Sequence, residues 1–292
     1  MSTAPQEIVH SAPESRQAIV LCADMLGFSA MVRKAKTMHD AIELAGQLAR
    51  FAEQFSGKDY EDAATQAFYS KKYWGFSDAI VVCWYAGSNA EATMTEFDAQ
   101  LDQLSGIALA QSLMMWDHKQ LVRGGVGHGW MLEHGTTVVG EALVAAASIE
   151  KHIEMPFIGV ETSLYERYLK HPGRNFYAES IDPTRTLFVP PCSYTKNYPA
   201  LDYFMIMLGE IDITPSQMVQ AKGLPVGDAR EEFREKCFWE NRKMYVRWHR
   251  DFVTSGLAHH DERVRIKFEA LKQHHNFRTQ PLYPTDPSML IH

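Results

Sequence analysis

No run of apolar residues in the chain approaches the roughly 18 to 20 needed to cross a bilayer as a helix. The first residues, with Glu7 among them, lack the basic and apolar regions of a secretory leader. Both absences lead to the expectation of a soluble, cytoplasmic protein with no membrane partner. Cysteine is scarce: Cys22, Cys83, Cys192 and Cys237 stand far apart with no Cys-x-x-Cys pair, which argues against a disulfide framework or a thiolate zinc site. Cys22 and Cys83 fall inside apolar, strand-like runs, so reduced thiols are expected. Positive charge is also in short supply, 29 Lys and Arg against 36 Asp and Glu for a net charge of −7, which argues against a nucleic-acid partner. A negatively charged substrate therefore needs locally placed cations or metal ions. The sequence has no internal repeat, no low-complexity tract and no phosphate-binding Gly-Lys-Ser/Thr loop.

The apolar share of 46% is enough for a full core, and 292 residues exceed a minimal domain. We expect one domain of roughly 180 residues with something appended. Residues 1–15 read as a loose arm. Ala18–Ala23 reads as a buried strand, Ala30–Lys36 and Asp40–Phe55 as helices, the second with a stripe at Ile42, Ala45, Leu48, Ala49, Ala52 and Phe55. Tyr69–Trp74 and Ala79–Tyr85 flank a Gly75-Phe76-Ser77-Asp78 turn and so read as a hairpin. Asn89–His118 reads as a long helix with Phe97, Leu101, Leu104, Ala108, Ser112 and Met115 on one face. Leu121–Val126 and Met131–Val139 read as strands, Glu141–His152 as a helix, Phe157–Val160 as a strand and Thr162–Leu169 as a helix. This order predicts an α+β fold, helices packed on a mainly antiparallel sheet, over residues 16–188. Residues 189–292 read as a Pro-marked irregular connector and a helical extension, near Ala229–Val253 and His260–His274, whose apolar stripes suit packing or a dimer surface. The pairs His259-His260 and His274-His275 read as solvated helix face, because adjacent helical residues point apart and no Cys or Asp joins them at ligand spacing.

Two carboxylates carry the chemistry. Asp24 ends the first strand, ahead of the Gly27-Phe28-Ser29 turn and a helix start; Asp78 sits at the tip of the hairpin. Taken singly they suit a helix start and a turn. If the first strand pairs with the hairpin, however, the two meet and need a cation between them. A third segment, Arg123-Gly124-Gly125-Val126-Gly127-His128-Gly129, is followed by Gly140-Glu141-Ala142-Leu143 through Ile149-Glu150.

In order and spacing these four blocks resemble the class III nucleotidyl cyclase catalytic domain, over about Arg16 to Leu169. That family carries an Asp-x-x-Gly-Phe-Ser/Thr strand end, a Gly-Asp hairpin, an Arg-x-Gly-Ile/Val-x-x-Gly strand and a Gly-x-Ala-Val-Asn-Leu-Ala-x-Arg-Leu-Glu helix. The resemblance implies a ferredoxin-like domain that cyclises a nucleoside triphosphate with two divalent metal ions, Mn²⁺ or Mg²⁺. It places the metals on Asp24, Asp78 and the Met25 backbone, and the triphosphate on Leu26, Gly27, Phe28 and Arg123.

The departures matter as much. Val144 and Ser148 stand where the family carries its transition-state Asn and Arg, so either the metals supply most of the charge stabilisation or a cation such as Arg174, Arg185 or Lys196 contributes. Trp74 and Thr137 stand at the base-reading positions, as core residues or as a narrower, aromatic-walled pocket that favours a pyrimidine over a purine. This altered pattern looks like the bacterial pyrimidine cyclases of the Pycsar anti-phage system. That resemblance implies a homodimer that cyclises UTP or CTP and a cyclic product that activates a separate effector; of the two substrates we favour UTP. A purine cyclase and a non-catalytic nucleotide-sensing dimer module are the alternatives.

Overall fold

The computed structural model describes residues 15–56, 69–86, 96–134 and 137–292. The apolar run from Ala18 to Ala23 is wholly buried because its strand, β1 (Arg16–Met25), is covered on both faces and paired on both edges. One edge pairs antiparallel with β3 (Ala79–Ala86) and the other with β4 (Val122–His134). With β2 (Tyr69–Phe76), β5 (Thr137–Gly140), β6 (Ile158–Val160), β7 (Phe188–Val189) and β8 (Ala200–Leu201), the sheet has eight strands in the order β2-β3-β1-β4-β6-β8-β7, with β5 paired to β4. β4 and β6 run parallel and the other described pairs are antiparallel. This is the expected α+β architecture.

Strand alternation divides the core. Ile19, Leu21, Ala23 and Met25 face a layer that includes Phe51 and Phe55 of α2 (Met38–Ser56) and Leu104 and Ala108 of α3 (Glu96–His118). Ala18, Val20 and Cys22 face Ala142 and Ala146 of α4 (Glu141–Ile153). Burial pushes the Cys22 and Cys83 thiols up to about 12 and about 11, which keeps them protonated and unreactive.

The Gly-rich segment is a strand, not a loop, and its glycines serve the α4 contact. A Cβ on Gly125 would overlap the Ala146 carbonyl oxygen and lie 2.8 Å from the Glu150 nitrogen; one on Gly127 would lie 2.7 Å from the Ala146 nitrogen. The backbone of α4 therefore lies directly on β4.

Several sequence expectations shift. Gly127–Trp130 does not break the strand: β4 runs unbroken for 13 residues, since Gly127 and Gly129 keep pairing with Val20 and Ala18. The α2 stripe is rotated, with Ile42, Ala45 and Ala49 exposed while Phe51 is buried, because only the C-terminal half of the helix meets the sheet. Residues 89–95 of the expected long helix lie outside the described residues; its Phe97-to-Met115 face is buried as expected. The sheet continues past position 188 through β7 and β8, and the connector contains α7 (Tyr203–Glu210) and α8 (Pro215–Lys222), the latter opened by a Thr214–Gln217 capping box.

The histidine reading is overturned for one pair. His274 and His275 of α10 (Glu262–Leu282) are 0% exposed, sealed against α7 and α9 (Asp228–Leu257). Fully buried Asp202 caps α7 through the Met205 N–H at 3.0 Å and pairs with His274 at 3.2 Å and with Arg278, so it clamps α10 to the domain. Periodicity misses this because the rings are polar and their partners lie on other elements, Asp202 for His274 and His249 with the Met289 carbonyl for His275.

Candidate functional site

Asp24 is the last ionisable residue of β1, opposite Ala79 on one edge and Arg123 on the other. The hairpin turn has two residues, Ser77 and Asp78, rather than the four expected, since Gly75 and Phe76 remain paired with Ile80 and Ala79. Ser77 takes φ +60°, which a two-residue hairpin demands and which glycine adopts more readily. The Asp78 carbonyl accepts from the Met25 N–H at 3.0 Å, tying the tip to the end of β1. The expected meeting of Asp24 and Asp78 follows from that pairing, and the two carboxylates are in electrostatic contact.

Asp24 is held between opposing influences. Burial pushes its carboxyl up to about 6; Arg123 opposes this, while Asp78 and Glu150 add to it. Arg123 sits 3.0 Å from Asp24 through its Nη2 and 2.8 Å from Glu150 of α4 through its Nε. In this state its guanidinium balances Glu150 and Asp24, one of the two carboxylates that the resemblance gives to metal.

Beyond Met25 the chain turns at Gly27, φ +88°, a conformation that L side chains rarely adopt, and enters α1 (Phe28–Lys34). The expected phosphate cradle is only partly available. The Leu26 N–H donates to the Leu121 carbonyl at 2.9 Å, and the Leu26 carbonyl accepts from Gln120 at 2.8 Å. Both backbone groups of Leu26 are thereby fixed to the chain just before β4.

Trp74 and Thr137 do not converge. Trp74 lies opposite Val81, which lies opposite Cys22, so the indole belongs to the Asp24 face and packs against the cluster around α4. Thr137 pairs with His134, while Val138 packs into that cluster. Alternation thus assigns Thr137 to the opposite face.

Val144 and Ser148 lie on the exposed side of α4, with Val144 69% exposed. The three cations considered as replacements are engaged elsewhere: Arg174 with Asp182, Arg185 with Glu179 at 2.5 Å, and Lys196 with Glu154 at 3.4 Å. Sequence reasoning missed two groups. Glu150 was noted only as the end of a helix motif, yet it is the second anchor of Arg123. Lys267 of α10, more than 100 residues from the last cyclase-like block, is half-buried and in electrostatic contact with Arg123 and Asp24. Burial lowers its pKa; Arg123 acts in the same direction and Asp24 against it. No local signal marked it.

Fold and site together define an α+β protein with paired carboxylates and an arginine at the end of its central strand. No protein-family model matches the chain, and no curated protein does. Among solved structures it is similar to the adenylyl cyclase CyaB from P. aeruginosa, at 14% identity and a TM-score of 0.41, over 56% of this chain and 84% of that one. It is also similar to a class III adenylyl cyclase-like ATP-binding protein from Pseudomonas aeruginosa, at 11% identity and a TM-score of 0.40, over 59% of this chain and 37% of that one. The chain thus spans little more than a third of the second protein. Likeness at this level assigns no activity, so the chemistry rests on the residues.

Proposed function

We propose that the chain is a nucleotide cyclase that converts a nucleoside triphosphate to its 3′,5′-cyclic monophosphate and pyrophosphate, with UTP favoured over CTP. The observation that carries this reading is the meeting of Asp24 and Asp78 beside Arg123, fixed by the Met25–Asp78 backbone bond.

The donors are hard oxygens: two carboxylates and the Met25 carbonyl. Among the described residues no group of three or more His, Cys, Asp or Glu side chains is placed to hold a metal ion. An open site of two carboxylates suits Mg²⁺ or Mn²⁺, which keep positions for water and substrate phosphate. Two such ions, when bound, make the 3′-hydroxyl more acidic and offset charge on the leaving pyrophosphate.

The ribose 3′-oxygen bonds to the α-phosphorus as the bond from that phosphorus to the β-phosphate bridging oxygen breaks. Pyrophosphate takes the electron pair and the hydroxyl proton passes to water. Arg123 is pre-positioned for the phosphates. On substrate binding its guanidinium exchanges Asp24 for a phosphate oxygen, while Glu150 keeps its orientation. That exchange frees Asp24 in the ionised form that a metal requires. With both Leu26 groups taken, the Gly27 and Phe28 N–H groups are the ones left to approach the triphosphate.

Trp74, on the Asp24 face, supports the pyrimidine preference, because an indole narrows a pocket and donates one hydrogen bond. The exposed Val144 side of α4 suits a homodimer in which base-reading and metal-binding halves come from different copies. The cyclic product then serves a separate effector in anti-phage defence.

The test is incubation of the dimeric protein with each of the four nucleoside triphosphates and Mn²⁺, with chromatographic identification of products. A cyclic uridylate or cytidylate is expected. Cyclic purines alone overturn the pyrimidine assignment, and no product from any substrate overturns the cyclase reading. Asp24→Asn and Asp78→Asn are each expected to lower turnover at least about 100-fold with unchanged circular dichroism; retained activity in either excludes the paired-carboxylate centre.

A further inference from the structure

Residues 169–185, from the end of α5 (Thr162–Leu169) into α6 (Pro183–Leu187), border a cavity of about 420 Å³. Its walls carry Lys170, His171, Arg174, Asn175 and Arg185, with the carboxylates of Glu179 and Asp182. A chain with a net charge of −7 thus gathers three of its cations around one hollow. The back wall is fixed. Arg174 donates to Asp182 through Nε at 3.0 Å and through Nη2, and to the Leu169 carbonyl through Nη1. Buried Asp182 also accepts from the Thr184 N–H at 2.9 Å and the Thr184 hydroxyl at 2.7 Å, so its lone pairs are taken. The His171 ring stacks on Phe97 at 4.6 Å and 12°, and the Tyr177 hydroxyl donates to Asp98 at 2.6 Å, both at the start of α3.

The rim is held differently. Arg185 pairs with Glu179 at 2.5 Å and Lys170 with Glu166 at 2.9 Å, but all four side chains are more than half exposed, and surface pairs of this kind are weak and exchangeable. His171 Nδ1 accepts from the Gly173 N–H at 3.0 Å, which puts the ring proton on Nε2. Among the described residues neither that N–H nor the Asn175 amide has a hydrogen-bond partner. A guanidinium fork, an ammonium and a ring N–H on one hollow match the several oxygens of a phosphoryl group, and the volume leaves room for the rest of a small polar molecule.

We propose that this cavity binds a phosphoryl dianion, free or carried by a small polar phosphomonoester. Arg185 and Lys170 exchange Glu179 and Glu166 for phosphoryl oxygens, and His171 Nε2–H donates to another. Arg174, committed to Asp182, shapes the wall. Asn175 and the released Glu179 are available to hydroxyl groups of an organic part. The site is distinct from the carboxylate pair at Asp24. Leu26 is bonded to Leu121, just past the C-terminal end of α3, whereas Phe97 and Asp98 stand at the N-terminal end. The 23 residues of that helix put roughly 34 Å between its ends, so binding here needs no cyclase activity.

The experiment titrates inorganic phosphate, ribose 5-phosphate and ribose into the full chain by calorimetry at constant ionic strength. It compares the wild type with Arg185→Gln, Glu179→Gln and Arg123→Gln and records each thermal midpoint. Arg185→Gln is expected to weaken phosphate binding about tenfold, the loss of one charge-assisted contact, at an unchanged midpoint. Glu179→Gln is expected to tighten binding about threefold, because the competing carboxylate is gone; a purely structural pair gives no such gain. Where Arg185→Gln lowers the midpoint, Lys170→Gln at its exposed helix end replaces it with the same expectation. Ribose 5-phosphate binding more tightly than phosphate identifies a phosphomonoester, equal affinities identify the free anion, and both uphold the site. No saturation of the wild type by either phosphate compound up to about 10 mM overturns it, as does ribose binding as strongly as its phosphate. Binding that survives Arg185→Gln but is lost in Arg123→Gln places the anion at the end of β1 and also overturns it.

Discussion

Acidification should unfold the C-terminal unit's anchorage before ordinary carboxylates begin to titrate. Tyr203 Oη lies 2.9 Å from His249 Nε2, His249 Nδ1 lies 3.0 Å from His275 Nδ1, and His275 Nε2 lies 2.7 Å from the Met289 carbonyl. A carbonyl only accepts, so His275 Nε2 carries a proton and its Nδ1 is a lone pair. His249 Nδ1 must then donate, and its Nε2 accepts the tyrosine hydroxyl. Both rings are neutral in this arrangement, and a proton added to His275 Nδ1 sets N–H against N–H. Burial lowers the His275 pKa from 6.5 to about 4 and pushes His249 well below its usual value in the same direction. At about 1.4 kcal/mol per pH unit, the His275 difference is worth about 3 kcal/mol, a sizeable part of the 5–15 kcal/mol typical of a folded domain.

The sign follows from proton uptake. Between pH 6.5 and about 4 the unfolded chain binds a proton at this position and the folded chain does not, so stability present above pH 6.5 is lost progressively across that interval. Asp24 works against it: its carboxyl, raised to about 6, binds a proton in the folded state over much of the same range. Asp202 acts only below the usual carboxylate range. Urea unfolding followed by tryptophan fluorescence, in the Asp24→Asn background, should therefore lose at least about 2 kcal/mol between pH 7 and pH 4.5, the His275 share alone, with His249 adding to it. Constant stability over that interval, or an imidazole of His275 titrating near 6.5 in the folded protein by ¹⁵N NMR, refutes the neutral-pair reasoning.

Three further outcomes are expected. Gly125→Ala should destabilise the protein by about 2–3 kcal/mol, read as a lowered thermal midpoint, because its methyl overlaps the Ala146 carbonyl and α4 must lift from β4. Mn²⁺ affinity, read by calorimetry, should weaken about tenfold per pH unit as pH falls below about 6, since metal and proton compete for Asp24; affinity independent of pH excludes Asp24 as a ligand. Ser77→Gly should raise stability by about 0.5–1 kcal/mol in denaturant unfolding by relieving the left-handed backbone at the hairpin tip.

How far the sequence was legible depends on the range of the forces involved. β1, the hairpin, α4 and α5 (Thr162–Leu169) were readable because a local apolar period or an uninterrupted apolar run decides them. Even the link between Asp24 and Asp78 was accessible, because pairing two strands fixes what their ends do. β4 was misread because glycine reports two different needs, a turn or a close approach. The register with Val20 and Ala18, together with the overlap a Cβ on Gly127 would have with α4, distinguishes them, and neither is visible locally. The buried histidines and Lys267 were illegible for a related reason. A polar residue on a helix reads as solvated unless its partner is known, and those partners lie up to 243 residues away along the chain, as between Lys267 and Asp24.

The same distance makes the C-terminal extension more than an appendage. Asp202 pairs with Arg278 and with His274 in a largely buried polar network, and a network of that kind is costly unless every member is in place. It therefore fixes one docking of α10 where apolar contacts among Val264, Phe268 and Leu271 would tolerate several. Loosening the clamp, as by Asp202→Asn, should then lower the thermal midpoint and speed hydrogen exchange in α10 while amide protection in β1 and the hairpin stays unchanged; unaltered exchange in α10 refutes the clamp.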